Sequence, residues 1–392
     1  MRRKSIFKLA LLSISLVLTS GGTIAGSIPL MAKEFVGVPQ ASVELLTTIP
    51  AFMVMIFVLL SSIIAKFLTP KYTVLLGLTI AFFSGLVPVF SNDFTVILIS
   101  RAGLGIGFGL FNAFAVSLIS DFFEGTERAQ LIGFQAAFQS LGAAAMTFVA
   151  GQLLKINWHQ AYWVYAIILP IAVVFFLVIP KTQTKDNGNE VRPKVVLKTN
   201  VAVVSLVVFL FITIMLDMAT QIKLAQLFLE NHYGNETDAS SALSLAQLVG
   251  LITALMFGTI YKILKKWMLP VAVLAMAVGF FGLNIADNLF LAMASVLFVT
   301  AAFAMYVPYL FTQVAHLSPE GSNAFSTSLL LVGANLGASM SPYGLAIIGD
   351  VVGASTTNAL FGAGSIILLV LAIVVIVVTI HSAKNSNRME VK

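Results

Sequence analysis

The 392-residue chain contains no cysteine, which removes disulfides, thiolate metal sites and cysteine nucleophiles at once. Charge is nearly as scarce. Asp, Glu, Lys and Arg make up 10% of the residues, against roughly 25% in a soluble globular chain, so there are too few to build a water-facing shell. The four histidines, His159, His232, His316 and His381, fall in expected loops or at helix ends, with no two spaced as metal ligands on one helix. No catalytic acid pair accompanies them, and an intramembrane enzyme needs one or the other. No Gly-x-x-x-x-Gly-Lys-Ser/Thr sequence occurs, so the phosphate loop of an ATP-driven pump is absent. The expected protein is not an enzyme and has no metal and no cofactor. Nor does the net charge of +6 imply nucleic acid, because the basic residues are scattered between apolar runs and form no single basic face.

What the chain does have is apolar length. Hydrophobic residues make up 59% of it, and a spanning helix needs about 20 largely apolar residues. That ruler gives twelve candidate spans: 9–31, 45–65, 72–90, 94–120, 129–154, 161–180, 201–229, 240–261, 267–286, 289–315, 324–349 and 354–380. Met1-Arg2-Arg3-Lys4 followed by an apolar run is also how a secretory signal begins. The run from 9 to 31 exceeds a signal's apolar core of about 7–15 residues, so it is read as a retained first helix.

Short cytoplasmic loops are enriched in Lys and Arg. With the N-terminus inside, the inner segments hold eighteen basic residues and the outer ones only Lys33 and Lys155. Both termini are therefore expected in the cytoplasm of a bacterial cell, with the chain integral to its membrane. The longest polar stretch, 181–200, carries Asp186-Asn187-Gly188-Asn189 and five basic residues and reads as a cytoplasmic linker. It separates an N-terminal six-helix bundle, 1–180, from a C-terminal one, 201–392.

An internal repeat supports the division. A shift of 196 residues lays Lys66 on Lys262 and Glu124-Gly125 on Glu320-Gly321, and a shift of 195 lays Leu141-Gly142-Ala143 on Leu336-Gly337-Ala338. The expected fold is thus all-α, with twelve transmembrane helices in two pseudo-symmetric bundles.

Charges within the spans are the first functional candidates, because one at the bilayer centre costs about 2.5–3.5 kcal/mol on insertion scales. Arg101 lies in the fourth span and Asp217 near the centre of the seventh. Lys223, nearer the outer end of the seventh, is placed to snorkel. A carboxyl group out of water favours its neutral form, and an approaching cation favours the ionised one. A lone midplane acid can therefore hold a proton in one state and release it in another. The structural alternative for Arg101 and Asp217 is an ion pair or snorkelling outward. Uncharged polar residues within spans, Asn112, Gln135, Gln139, Gln221, Gln247 and Asn335, either line a substrate cavity or bond a neighbouring helix. The repeat puts Gln139 and Asn335 at equivalent places. Tyr306 and Tyr309 either line an apolar cavity or pack.

Around the arginine runs Arg101-Ala102-Gly103-Leu104-Gly105-Ile106-Gly107-Phe108-Gly109, two overlapping Gly-x-x-x-Gly patterns that permit close helix approach in lipid. Lying inside a span, it is not a dinucleotide loop. It resembles the fourth-helix motif of the major facilitator superfamily, an arginine followed by glycines four and six residues on, here Gly105 and Gly107. The resemblance extends through the two six-helix halves, the long central loop and the basic short loops. It implies a substrate cavity near the midplane and halves that expose it alternately to either side.

Two features depart from the family's pattern. Lys66 stands where the loop between the second and third helices usually has an aspartate, and Lys262 repeats the replacement, so the gating ion pair of that aspartate is absent or rebuilt. The Gly-Pro pair typical of drug:proton antiporters in the fifth helix is Met146-Thr147 here. The leading expectation is a monomeric, proton-coupled exporter of small amphipathic or cationic compounds, with Asp217 and Arg101 in proton coupling and Asn112, Gln139, Gln221, Tyr306 and Asn335 lining the cavity. Gly103, Gly105, Gly107, Gly109, Lys66 and Lys262 would serve packing and gating. The alternatives are uptake or anion transport with Arg101 on a substrate carboxylate, and a receptor or membrane enzyme that transports nothing.

Overall fold

A computed structural model of the chain describes residues 2–180 and 198–390; of the expected linker, 181–197 lie outside these residues. The described residues form α1 (Arg2–Ser13), three 3-10 turns (Ile14–Val17, Ser20–Gly22, Ala25–Ser27), α2 (Ile28–Glu34), α3 (Gln40–Phe90), α4 (Phe94–Asn112), α5 (Phe114–Phe122), α6 (Gly125–Leu153) and α7 (Trp158–Ala161). After a 3-10 segment (Tyr162–Ile167) come α8 (Ile168–Val178), α9 (Val201–Glu230) and α10 (Glu236–Leu264). The rest are a 3-10 turn (Lys265–Trp267), α11 (Met268–Asn284), α12 (Leu289–Leu317), α13 (Asn323–Val352) and α14 (Thr357–Glu390). Asn and Asp side chains start several of them. Asp93, Asn157, Asn200 and Asn288 each accept a backbone N–H three residues on, at 2.8–3.0 Å, satisfying donors that a helix start leaves open.

Nine helices among the described residues are long and apolar enough to cross a membrane, and the bent stretch Ser5–Val17 plus Ser20–Glu34 makes a tenth. Two of the nine are double. α3 has 51 residues, about 77 Å if straight and more than twice a bilayer core, but Thr69 sits at φ 66°, ψ 154°, where its chain direction breaks. A Cβ built on Gly105 would lie 2.4 Å from the Pro50 carbonyl oxygen, and one on Gly107 2.5 Å from that of Gly77. Residues 50 and 77 therefore flank the same turn of α4, so α3 folds back at Thr69. The 49-residue stretch Glu236–Asn284 reverses likewise at Lys265, φ 49°. A Cβ on Gly250 would meet Thr300 at 3.1 Å and one on Gly279 would meet Val299 at 2.6 Å. Among the described residues the crossings thus number twelve, as the apolar runs predict.

By contact the chain divides into two compact units. One comprises Met1–Lys194, Asn235–Ser244 and Ala338–Pro342, the other Val195–Gly234, Leu245–Gly337 and Tyr343–Lys392. The two short segments join the first unit through side-chain bonds to its backbone: Thr237 Oγ1 to Gly151 O and Ser244 Oγ to Ala144 O, both 2.8 Å, while Thr48 Oγ1 bonds Ser339 O at 3.2 Å.

The sequence repeat reappears in the backbone. Left-handed residues recur 196 apart at Thr69 and Lys265 and at Gly125 and Gly321, and 195 apart at Gly37 and His232. Helix contacts repeat too. A Cβ on Gly142 would meet Leu16 O at 2.0 Å, and one on Gly337 would meet Phe211 O at 2.5 Å; both members of the second pair lie 195 residues beyond those of the first.

Candidate functional site

In the first unit, Arg101 is fully buried on α4. Its Nε donates to Leu46 O at 2.7 Å, one terminal nitrogen to the Tyr165 hydroxyl at 2.9 Å, and the other to Gly21 O. Tyr165 in turn donates to Ser20 O at 2.9 Å. The guanidinium also lies 5.8 Å from the ring centre of Tyr162 and 5.7 Å from that of Tyr165, close enough for cation–π attraction. Among the described residues no carboxylate pairs with it.

The receiving carbonyls explain the broken first helix. An intact α-helix spends its carbonyls on its own N–H groups, so Gly21 and Ser20 can serve Arg101 and Tyr165 only where 3-10 turns interrupt that ladder. The local sequence, Thr19-Ser20-Gly21-Gly22-Thr23, favours the break: glycine weakens helices and hydroxyls compete for backbone groups. Arg101 is therefore a clamp on the first, second and sixth crossings. Arg101→Lys keeps the charge but loses the planar fork; it is expected to lower stability by about 2–4 kcal/mol, read as a drop in the detergent-solubilised protein's melting temperature. An unchanged melting temperature would contradict the clamp.

The glycines beside Arg101 face the two arms of α3. A Cβ on Gly105 or Gly109 would strike Pro50 and Phe57 at 2.4 and 2.7 Å, whereas one on Gly103 or Gly107 would strike Ser84 and Gly77 at 2.5 Å. Each overlapping pattern thus seats one arm of α3.

In the second unit Asp217 lies on α9, 6% exposed, on a face shared with the buried Thr213 and Thr220. Thr220 Oγ1 donates to the Asp217 backbone oxygen at 2.8 Å, and no basic side chain among the described residues forms an ion pair with the carboxylate. Tyr306 on α12 is within its electrostatic reach. That tyrosine is fully buried, its hydroxyl beside the Thr213 side chain but with no hydrogen bond of good geometry among the described residues. Its ring is held edge-on by Phe209 at 6.5 Å and Phe303 at 5.8 Å. An acid, a buried hydroxyl and three rings therefore gather where α9 packs on α12.

The remaining sequence candidates are spread out. Asn112 ends α4, half-buried. Gln139 accepts from Gln135 at 3.4 Å and Asn335 donates to Leu331 O at 2.9 Å, each within its own helix, and Gln221 lies one turn beyond Asp217. Lys223 reaches Gln226 at 3.4 Å. Lys66 and Lys262 are exposed.

Two buried charges escaped the sequence reading. Lys71 is 7% exposed and donates to Phe176 O at 2.7 Å and Ile179 O at 2.5 Å, closing the C-terminus of α8, where a cation is favoured. Its place in a basic loop gave no sign of this. Glu44, 1% exposed, accepts from Gln40 Nε2 at 2.9 Å; α3 begins five residues before the apolar run that marked the span.

The chain matches the family model described as Major Facilitator Superfamily over residues 10–229 and again over 207–391. No curated protein sequence matches it. Similar solved structures include a point mutant of the nucleoside transporter NupG, with 13% identity, TM-score 0.77 and coverage of 96% of this chain and 99% of that one. The inward-open xylose transporter XylE from E. coli has 14% identity, TM-score 0.72 and 95% coverage of both chains. A bacterial homologue of the human lysosomal transporter Spinster has 16% identity, TM-score 0.69 and coverage of 96% and 95%.

Proposed function

The chain belongs to the Major Facilitator Superfamily, and from that membership we propose that it is a proton-coupled transporter that exports small amphipathic or cationic compounds. Membership makes it an integral membrane transporter and not an enzyme. The finer reading is carried by one observation: a buried carboxylate, Asp217, that pairs with no basic side chain among the described residues. A buried charge without a partner is costly, so such a group is suited to being neutral in one state and ionised in another. Ring faces attract cations, which makes Phe209, Phe303 and Tyr306 fitting company for a cationic or aromatic solute. We give Asp217 the coupling proton and Arg101 the upkeep of the first helix's break. The structure favours the clamp over a carboxylate receptor for Arg101, since the side chain is fully buried and three of its five N–H groups go to helix carbonyls and Tyr165.

The fold does not select the solute, because the similar structures carry names as different as nucleoside, xylose and Spinster transporters. Reconstituted protein therefore needs a panel. An imposed pH gradient is expected to drive a lipophilic cation against its own gradient and to leave an anion of similar size unmoved. Gradient-dependent movement of the anion alone would overturn the reading.

The same proposal has two six-helix bundles, 1–180 and 201–392, working as a monomer with both termini in the cytoplasm of a bacterial cell. Gly321 has φ +74°, so a reporter cysteine belongs at the exposed neighbour Glu320. Glu320→Cys is expected to resist an impermeant thiol reagent in intact cells; ready labelling would invert the orientation.

A further inference from the structure

We infer that the turn between α10 and α11, Tyr261 to Trp267, is a binding site for the headgroup of an anionic phospholipid. Within it Lys262, Lys265 and Lys266 are all exposed. None of the three side chains has a hydrogen bond, ion pair or ring contact among the described residues. No acidic residue occurs between Asp238 and Asp287, so both helices that meet at the turn bring it no neutralising charge of their own.

Apolar and aromatic side chains frame the lysines. Ile263 is 75% exposed, Trp267 40% and Tyr261 37%. Tyr261 is held in place by Phe257 and Tyr309, ring centres at 6.0 and 6.1 Å. Tyr and Trp settle at headgroup depth, so they fix the height of the lysines at the layer where lipid phosphates lie. The left-handed residue Lys265 joins the two helices with a single 3-10 turn, which confines three ammonium groups to five residues of chain. The start of α11, with no side-chain cap, adds the positive end of a helix dipole.

The equivalent turn of the first half shows what distinguishes this one. A shift of 196 lays Lys66 on Lys262, Thr69 on Lys265 and Lys71 on Trp267. There only Lys66 is exposed, because Lys71 is buried with its ammonium on the Phe176 and Ile179 carbonyls and 5.1 Å from the Phe176 ring. One turn has spent its second lysine on the fold, and the other keeps three free. The site is therefore asymmetric, in the second half only.

The test is native mass spectrometry of the delipidated full chain in detergent, titrated with phosphatidylglycerol or phosphatidylcholine. A lysine near an anionic lipid surface contributes about fivefold in affinity, so K262Q/K265Q/K266Q is expected to weaken phosphatidylglycerol binding about a hundredfold. Phosphatidylcholine should bind the wild type no better than that variant binds phosphatidylglycerol. K262R/K265R/K266R, which keeps the charge, should bind as wild type, and Lys66→Gln should change little. If the triple Gln variant does not fold, the three single variants are each expected to lose about fivefold. Undiminished binding in the Gln variants, or an equal loss in Lys66→Gln, would overturn the site. Displacement of the lipid by inorganic phosphate at equal concentration would assign the lysines to a free anion and overturn it as well.

Discussion

Gly142→Val is expected to abolish the accumulation of folded protein, while Gly133→Ala on the same helix leaves it unchanged. Both glycines lie in α6, so replacing either one favours the helix, Ala more than Val. They differ in what stands opposite. A Cβ at Gly142 would lie 2.0 Å from Leu16 O and 2.5 Å from Leu16 Cα, whereas one at Gly133 would meet nothing within 4 Å. The obstacle at Gly142 is backbone, which cannot rotate aside as a side chain does, so α6 would have to retreat from the first helix as a body. Overpacking typically costs about 1–3 kcal/mol, occasionally more, and an unyielding backbone puts this case at the upper end or beyond. Retreat would also remove the bond from Thr19 Oγ1 to Gln139 O, 3.4 Å. Gly133→Ala should if anything gain about 0.5–1 kcal/mol from lower backbone entropy. Fluorescence size-exclusion yields of the two variants measure the difference; a well-folded Gly142→Val at wild-type yield would mean that the first and fifth crossings do not touch.

The same pair of helices shows what the sequence could and could not disclose. Leu141-Gly142-Ala143 and Leu336-Gly337-Ala338 were visible as a repeat, because a glycine demanded by a neighbouring backbone stays glycine in both halves. Glu124-Gly125 and Glu320-Gly321 were visible for a related reason: each glycine takes a left-handed φ, +57° and +74°, that other residues resist. The break in the first helix was not read. Residues 9–31 are uncharged throughout, and an apolar run looks the same whether its carbonyls bond internally or to Arg101. The clue was a span holding both a run of Ser, Thr and Gly and, elsewhere in the same half, an arginine in need of acceptors. A charge inside an apolar span marks Arg101 as unusual, but its partners, Gly21, Leu46 and Tyr165, are tertiary and leave no local pattern. Lys71 was hidden among basic loop residues. Asp217 stood out because it is the one acid deep in any span; that Tyr306 would lie near it depends on how α9 meets α12, which periodicity does not specify.

Asp217→Asn is expected to uncouple transport from the pH gradient. The amide has nearly the shape of the carboxylic acid and stays neutral, so it imitates the protonated state permanently. Removing one member of a buried ion pair would cost about 3–5 kcal/mol by stranding the other charge. Asp217 pairs with no basic side chain among the described residues, so that penalty does not arise and the variant should fold. A structural acid would behave differently: its loss would lower expression and diminish every kind of transport together. Exchange of substrate down its own gradient needs binding and the change of conformation but no release of a proton, so it should survive.

The most direct measurement therefore compares wild type and Asp217→Asn in proteoliposomes, for both exchange and movement driven by an imposed pH gradient, normalised to folded protein. The expected result is exchange that persists in the variant while gradient-driven movement falls to that of protein-free vesicles; full gradient-driven transport by Asp217→Asn would contradict the coupling role of this carboxylate.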